Sequence, residues 1–168
     1  MNKKRTKAIE RLIETAVQAQ KRAYCPYSRY PVGAAVLTGN GRVFAGCNVE
    51  NASYGLAMCA ERVAIYHAIA GGHDSIAAVC VVGAAAKPCG ACRQVMYEFS
   101  TKETPLFLVD LNQTTGRRKV NKTTVFKMLP NAFDPLASGL LPQNPRNLLR
   151  RKSSGRGRPK GRRSGGRR

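Results

Sequence analysis

A chain of 168 residues with 43% hydrophobic content is long enough for one domain with a sizeable core. No window reaches the roughly 18 consecutive apolar residues of a membrane span, and "MNKKRTKAIERLIE" opens a charged amphipathic pattern, not a signal-peptide apolar stretch. This points to a protein that stays in the cytoplasm and has no membrane partner. The net charge of +20 is uneven: eleven of the 29 Lys and Arg lie between Arg146 and Arg168 with no acid among them, leaving about +9 on the rest.

From Thr6 to Ala23, the residues Ile9, Leu12, Ile13, Ala16 and Val17 recur at helical spacing and predict an opening helix. "YPVGAAVLTGNGRVFAGCNVEN" then predicts two antiparallel strands around Asn40-Gly41, a dipeptide in which both residues tolerate positive φ. "SYGLAMCAERVAIYHAIAGG", residues 53 to 72, reads as a helix stopped by its glycine pair. "SIAAVCVVGA" has the continuous apolar run of a strand buried on both faces. A short helix is expected from near Cys89, a strand in "TPLFLVDLN", and a short final helix and loop in "TTVFKMLPNAF". That order suggests a mixed sheet between helices. A domain of residues 1–140 is expected to be followed by a basic tail, 141–168, whose Pro, Gly, Ser and Arg composition predicts disorder.

Six cysteines without an export signal argue against a disulfide framework and for reduced thiols or metal ligands. Cys89 and Cys92 form a C-x-x-C pair, a turn that lets two thiolates reach one zinc ion, and Cys59 is the natural third ligand. Three protein ligands leave a coordination position for water, as in catalytic zinc sites. His67 and His73 lie away from this start of the helix. If Cys59 and Cys89 both stand at helix N-termini, the partial positive charge there stabilises thiolates. Arg62, with Arg93 as a second candidate, would offset the surplus negative charge, and Glu61 would carry a proton between water and leaving group. Buried unligated thiols, a purely structural zinc and a solvated helix-end carboxylate remain the alternatives.

"GCNVENASYGLAMCAER" at 46–62 and "PCGACRQV" at 88–95 resemble the cytidine deaminase family, in its small three-cysteine, homotetrameric branch; C-A-E followed after 28 residues by P-C-x-x-C matches a known zinc deaminase signature. The resemblance covers roughly residues 5–135. It implies a three-layer α/β/α cytidine deaminase-like fold with a mixed, about five-stranded sheet. It also implies hydrolytic deamination of cytidine or deoxycytidine in pyrimidine salvage, with water attacking C4 and Glu61 protonating N3. Asn48 and Glu50 would hold the ribose hydroxyls, the Ala60 backbone would contact the base, and Tyr30, in "PYSRYPVGAA", would stack on it. Phe133, in "MLPNAF", would enter a neighbouring subunit's site. Two features depart from the family pattern: "GAAAKP" before Cys89 is short, and the basic extension is atypical.

Two other readings compete. One is cytosine deamination in polynucleotides tethered by the tail, and the other is a nucleic-acid-binding protein on a deaminase-like scaffold. The tail's "GRGRPKG" resembles an AT-hook, and its charge alone attracts nucleic acid nonspecifically through counterion release.

Overall fold

The computed structural model describes residues 3–112 and 114–140. The chain divides into Met1–Asp134 and Pro135–Arg168. Of the second unit, residues 135–140 form a turn in which the Leu140 N–H donates to the Pro135 carbonyl at 3.0 Å. The expected tail, 141–168, lies outside the described residues.

In the first unit the elements are α1 (Lys3–Gln20), β1 (Gly33–Thr38), β2 (Val43–Cys47), α2 (Ala60–Ala70), β3 (Ile76–Gly83), α3 (Gly90–Glu98), β4 (Pro105–Leu111) and β5 (Arg118–Thr124). One sheet runs in the order β2-β1-β3-β4-β5. Its pairs are antiparallel except β3 with β4, which α3 connects as a crossover and which are parallel. The period of two along each strand sorts side chains between two cores. Leu12, Ala16 and Val17 of α1 pack on Ala35, Cys80, Val82, Phe107 and Val109. On the other face, Ala60, Ala64, Ile65 and Ala68 of α2 and Cys92 and Met96 of α3 cover Ala34, Val36, Val79, Val81 and Leu106. This is a three-layer α/β/α arrangement with a mixed five-stranded sheet, as the resemblance implied. No described helix is long and apolar enough to cross a membrane.

Three local differences from the sequence reading have physical causes. The β1–β2 turn uses positive φ at Gly41 alone, at 84°, because Thr38 Oγ1 donates to Asn40 Oδ1 at 2.6 Å and fixes that residue by its side chain. The 53–72 helix breaks in two: a 3-10 turn over Tyr54–Leu56 precedes α2, and Cys59 becomes its N-cap. The expected final helix is instead the end of β5 and a single 3-10 turn, Phe126–Met128. β5, "RKVNKTT", has one apolar residue and lies at the sheet edge, so it carries no alternating signal and is held by its ladder to β4.

Two glycines permit the layers to close. A Cβ at Gly33 would strike the Ala16 carbonyl of α1, and one at Gly46 would lie 2.6 Å from the Ala60 carbonyl of α2. Gly46 thus lets the start of α2 sit directly on β2.

Candidate active site

Cys59 and Cys89 are the N-caps of α2 and α3, so two helix N-termini converge on one point with their partial positive charge. Cys92 lies one turn into α3, fully buried. The three Sγ atoms fall within 4.8 Å of one another, with Cys59–Cys89 at 3.8 Å and Cys89–Cys92 at 3.5 Å. Tetrahedral thiolate ligation at a Zn–S distance of about 2.3 Å requires a sulfur–sulfur spacing near ~3.8 Å, so this donor set fits zinc. Three thiols this close cannot all ionise without a cation between them. Hydrogen bonding to Cys92, then to Arg62 and Cys89, brings Cys59 down to about 5 against the opposing effect of burial. The same pairing, together with burial, pushes Cys92 up.

Arg62 Nη2 donates to Cys59 Sγ at 3.5 Å, and its buried Nε has no hydrogen-bond partner among the described residues. The sequence reading also offered Arg93 for this task, but its guanidinium turns away: Nε donates to the Pro88 carbonyl at 2.8 Å and Nη1 to the Met128 carbonyl at 3.0 Å. His67 and His73 both pack on Phe44, with ring centroids 5.1 and 5.0 Å away, outside the sulfur cluster.

A cleft of about 260 Å³ opens beside the sulfurs and is lined by Tyr30, Asn48, Glu50, Ala60 and Glu61 together with Cys59, Cys89 and Lys87. Glu61 is only 3% exposed, and burial first, then the neighbouring Cys59 charge, raises its carboxyl above the usual range. Asn48 and Glu50 flank Val49, whose backbone bridges Tyr24 on one side and Met58 on the other, so the N-x-E segment lies directly against the approach to Cys59.

These polar side chains also build the wall they stand on, which spacing alone did not reveal. Asn48 Oδ1 accepts the Val32 N–H at 2.8 Å and Nδ2 donates to the Tyr30 carbonyl at 3.0 Å. Glu50 Oε2 accepts the Tyr27 and Ser28 N–H groups at 2.9 and 3.2 Å. Hydrogen bonds from Ser28 and Tyr27 hold the Glu50 carboxyl below its ordinary value. The Tyr30 hydroxyl, a polar group that needed a partner, donates to the Ala84 carbonyl at 2.6 Å. Phe133 does not line this cleft; it is 58% exposed, and Gln94 Nε2 holds its carbonyl at 2.9 Å.

Residues 6–108 match the model of the cytidine and deoxycytidylate deaminase zinc-binding region. Cytidine deaminase of Sporosarcina psychrophila is 42% identical over 128 residues, covering 74% of this chain and 90% of that protein. The Halalkalibacterium halodurans cytidine deaminase is 45% identical over 125 residues, or 73% of this chain and 91% of the relative. The crystal structure of cytidine deaminase from Burkholderia pseudomallei superposes with a TM-score of 0.67 at 46% identity, covering 74% of this chain and 98% of that one. A zinc-ligand set that converges from two helix caps beside a buried carboxylate thus coincides with the matched region, and the chain belongs to the cytidine and deoxycytidylate deaminase family.

Proposed function

We propose that this protein is a zinc-dependent cytidine deaminase, converting cytidine or deoxycytidine and water to uridine or deoxyuridine and ammonia. The observation that carries the reading is the opening of one cleft onto both Glu61 and the sulfur cluster. A zinc ion held by Cys59, Cys89 and Cys92 supplies the Lewis acidity that makes water a nucleophile at neutral pH. Glu61 takes the proton of the attacking water and delivers it to N3, then serves the departing amino group. A carboxyl whose affinity for protons is raised by burial suits that shuttle. Arg62 offsets thiolate charge so that the three sulfurs do not exhaust the ion's acidity.

In this reading the Tyr30 ring forms a wall for the base, the Ala60 backbone contacts it, and Asn48 and Glu50 receive the sugar hydroxyls. A second copy of the chain supplies Phe133 to the cleft mouth in a homotetramer. Its support is that Phe133 is exposed and stands outside its own cleft, while Tyr24, Tyr27, Tyr54 and Leu56 leave apolar surface uncovered. Three thiols that must stay reduced favour the cytoplasm, where pyrimidine salvage operates. Residues 1–140 carry the activity, and the basic tail, 141–168, is accessory. Glu50, a carboxylate in the cleft, disfavours a polynucleotide substrate because a backbone phosphate would be repelled there.

The test is ammonia release from cytidine and from a cytosine-containing oligonucleotide, using zinc-loaded full-length protein and a chain truncated after Gly139. Turnover of cytidine by both proteins supports the reading. Reaction of the oligonucleotide alone, and only with the tail present, would replace it with polynucleotide editing.

A further inference from the structure

The peptide unit joining Ala84 to Ala85 is gripped at both ends. Its carbonyl accepts the Tyr30 hydroxyl at 2.6 Å, and its N–H donates to Asp110 Oδ1 at 2.9 Å. Ala85 has φ at 51°, in the left-handed region that an alanine avoids unless neighbouring contacts hold it there. Gly83, just before, makes the reversal tight: a Cβ on it would lie 2.8 Å from the Ala86 Cβ. From this point the chain passes Lys87 and the buried Pro88 and reaches Cys89.

The two hydrogen bonds reinforce each other. A carboxylate accepting from the N–H polarises the amide and makes its carbonyl a better acceptor for the phenol. Burial, and then the charges of Asp110 and Glu61, push the Tyr30 phenol up, which keeps it protonated and donating. Tyr30 also lines the cleft, as do Ala86, Lys87 and Cys89 at the other end of the gripped loop. The Tyr30 bond therefore ties together two segments that bound the same cavity. Asp110, on β4, is paired in register with Gly83 on β3 and anchors the far side of the peptide to the sheet.

We propose that this grip makes Tyr30 and Asp110 positioning residues that fix how closely the 84–88 loop stands over the cleft, and so exclude cytidines carrying an alkyl group on the exocyclic amine. The inference rests on the deaminase reading above. There the reacting carbon lies by Glu61 and the sulfurs, and the 84–88 loop with the cysteine that follows it brings Ala86, Lys87 and Cys89 to the same cleft. A loop of five residues held at one peptide plane has little freedom to make room for a methyl group.

The experiment uses zinc-loaded full-length wild type, Tyr30→Phe and Asp110→Ala. It measures uridine formed from cytidine, which releases ammonia, and from N4-methylcytidine, which releases methylamine. Hydrogen exchange is followed on the peptide spanning residues 84–88. Losing one end of the grip should lower the ratio of kcat/KM for cytidine over N4-methylcytidine by about tenfold in both variants, and speed exchange in that peptide. An unchanged ratio overturns the proposal even if the variants melt at lower temperature, because a merely structural bond would lower stability alone. Should Tyr30→Phe fail to fold, Asp110→Ala decides, since Asp110 lies outside the cleft lining. If zinc-loaded wild type leaves cytidine untouched, the deaminase reading fails and takes the specificity claim with it. The exchange rates then still report whether the loop is gripped.

Discussion

Adding one methyl group at Gly46 should disable the site from behind. Gly46 lies on β2 beneath the first turn of α2, where a new Cβ would collide with the Ala64 backbone nitrogen and sit 2.6 Å from the Ala60 carbonyl and 2.9 Å from the Val63 Cβ. Two of these are backbone atoms of the helix, so no side-chain rotation relieves the contact. Ordinary carbon contacts begin near ~3.5 Å, which requires α2 to move off the sheet by about 1 Å. Overpacking of this kind costs about 1–3 kcal/mol of stability. The same displacement moves Cys59, the N-cap of α2, relative to Cys89, the N-cap of α3, and so spoils a sulfur spacing of 3.8 Å. Misplacement by about 1 Å can reduce turnover by roughly 100-fold. Urea unfolding of Gly46→Ala, zinc retention against a graded chelator, and kcat/KM for cytidine measure the three effects. Gly55→Ala is the control, since its Cβ meets nothing within 4 Å. If Gly46→Ala matches wild type in stability, zinc retention and turnover, the claim that β2 positions the zinc ligands through this contact is wrong.

Glu61→Gln should retain zinc by elemental analysis yet lose about 100- to 10,000-fold in kcat, because an amide cannot carry the proton. Asn48→Ala removes the partners of both the Val32 N–H and the Tyr30 carbonyl and should cost about 1–3 kcal/mol in denaturant unfolding, in addition to raising KM. Cys80, fully buried and pushed up to about 12 by burial, should resist iodoacetamide at pH 8 until the protein is unfolded, whereas exposed Cys89 should label in zinc-stripped protein and be protected by zinc, as read by mass spectrometry. Hydrogen bonds from Gln18 and Arg118 hold Glu14 below its ordinary value of 4.5, so the contact stabilises the fold fully above that pH and loses its contribution as pH falls through the lowered value. Since the pair is exposed, Arg118→Ala should change stability at pH 7 by no more than about 1 kcal/mol and less in high salt.

The parts of this molecule that could be read from sequence are those whose signal is local. Ligand spacing belongs here: C-x-x-C is one helix turn, and C-A-E places a ligand at the cap and a carboxylate two residues on, in the first turn, wherever the helix begins. The strand Ile76–Gly83 is legible for the same reason, since burial on both faces leaves an unbroken apolar run. β5 was not legible in its residues because an edge strand with five exposed positions owes its conformation to a ladder with β4. Arg93 could not be distinguished from Arg62 by nearness to cysteine. The two side chains differ in what tertiary structure brings to them, a sulfur for one and the Pro88 and Met128 carbonyls for the other.

The cleft wall shows why the N-x-E motif can serve structure and ligand together. Asn48 has an acceptor with two lone pairs and an amide with two hydrogens, and the wall takes one of each. Glu50 meets the Tyr27 and Ser28 backbone N–H groups with Oε2. One lone pair and one hydrogen of the Asn48 amide remain beyond those bonds, and Asn48 and Glu50 both line the cleft; in the proposed reading they meet neighbouring sugar hydroxyls. It follows that the wall must be folded before these groups are oriented. Any substitution loosening residues 24–32 should therefore weaken nucleoside binding in proportion to the order it removes, even where it touches no atom of the ligand.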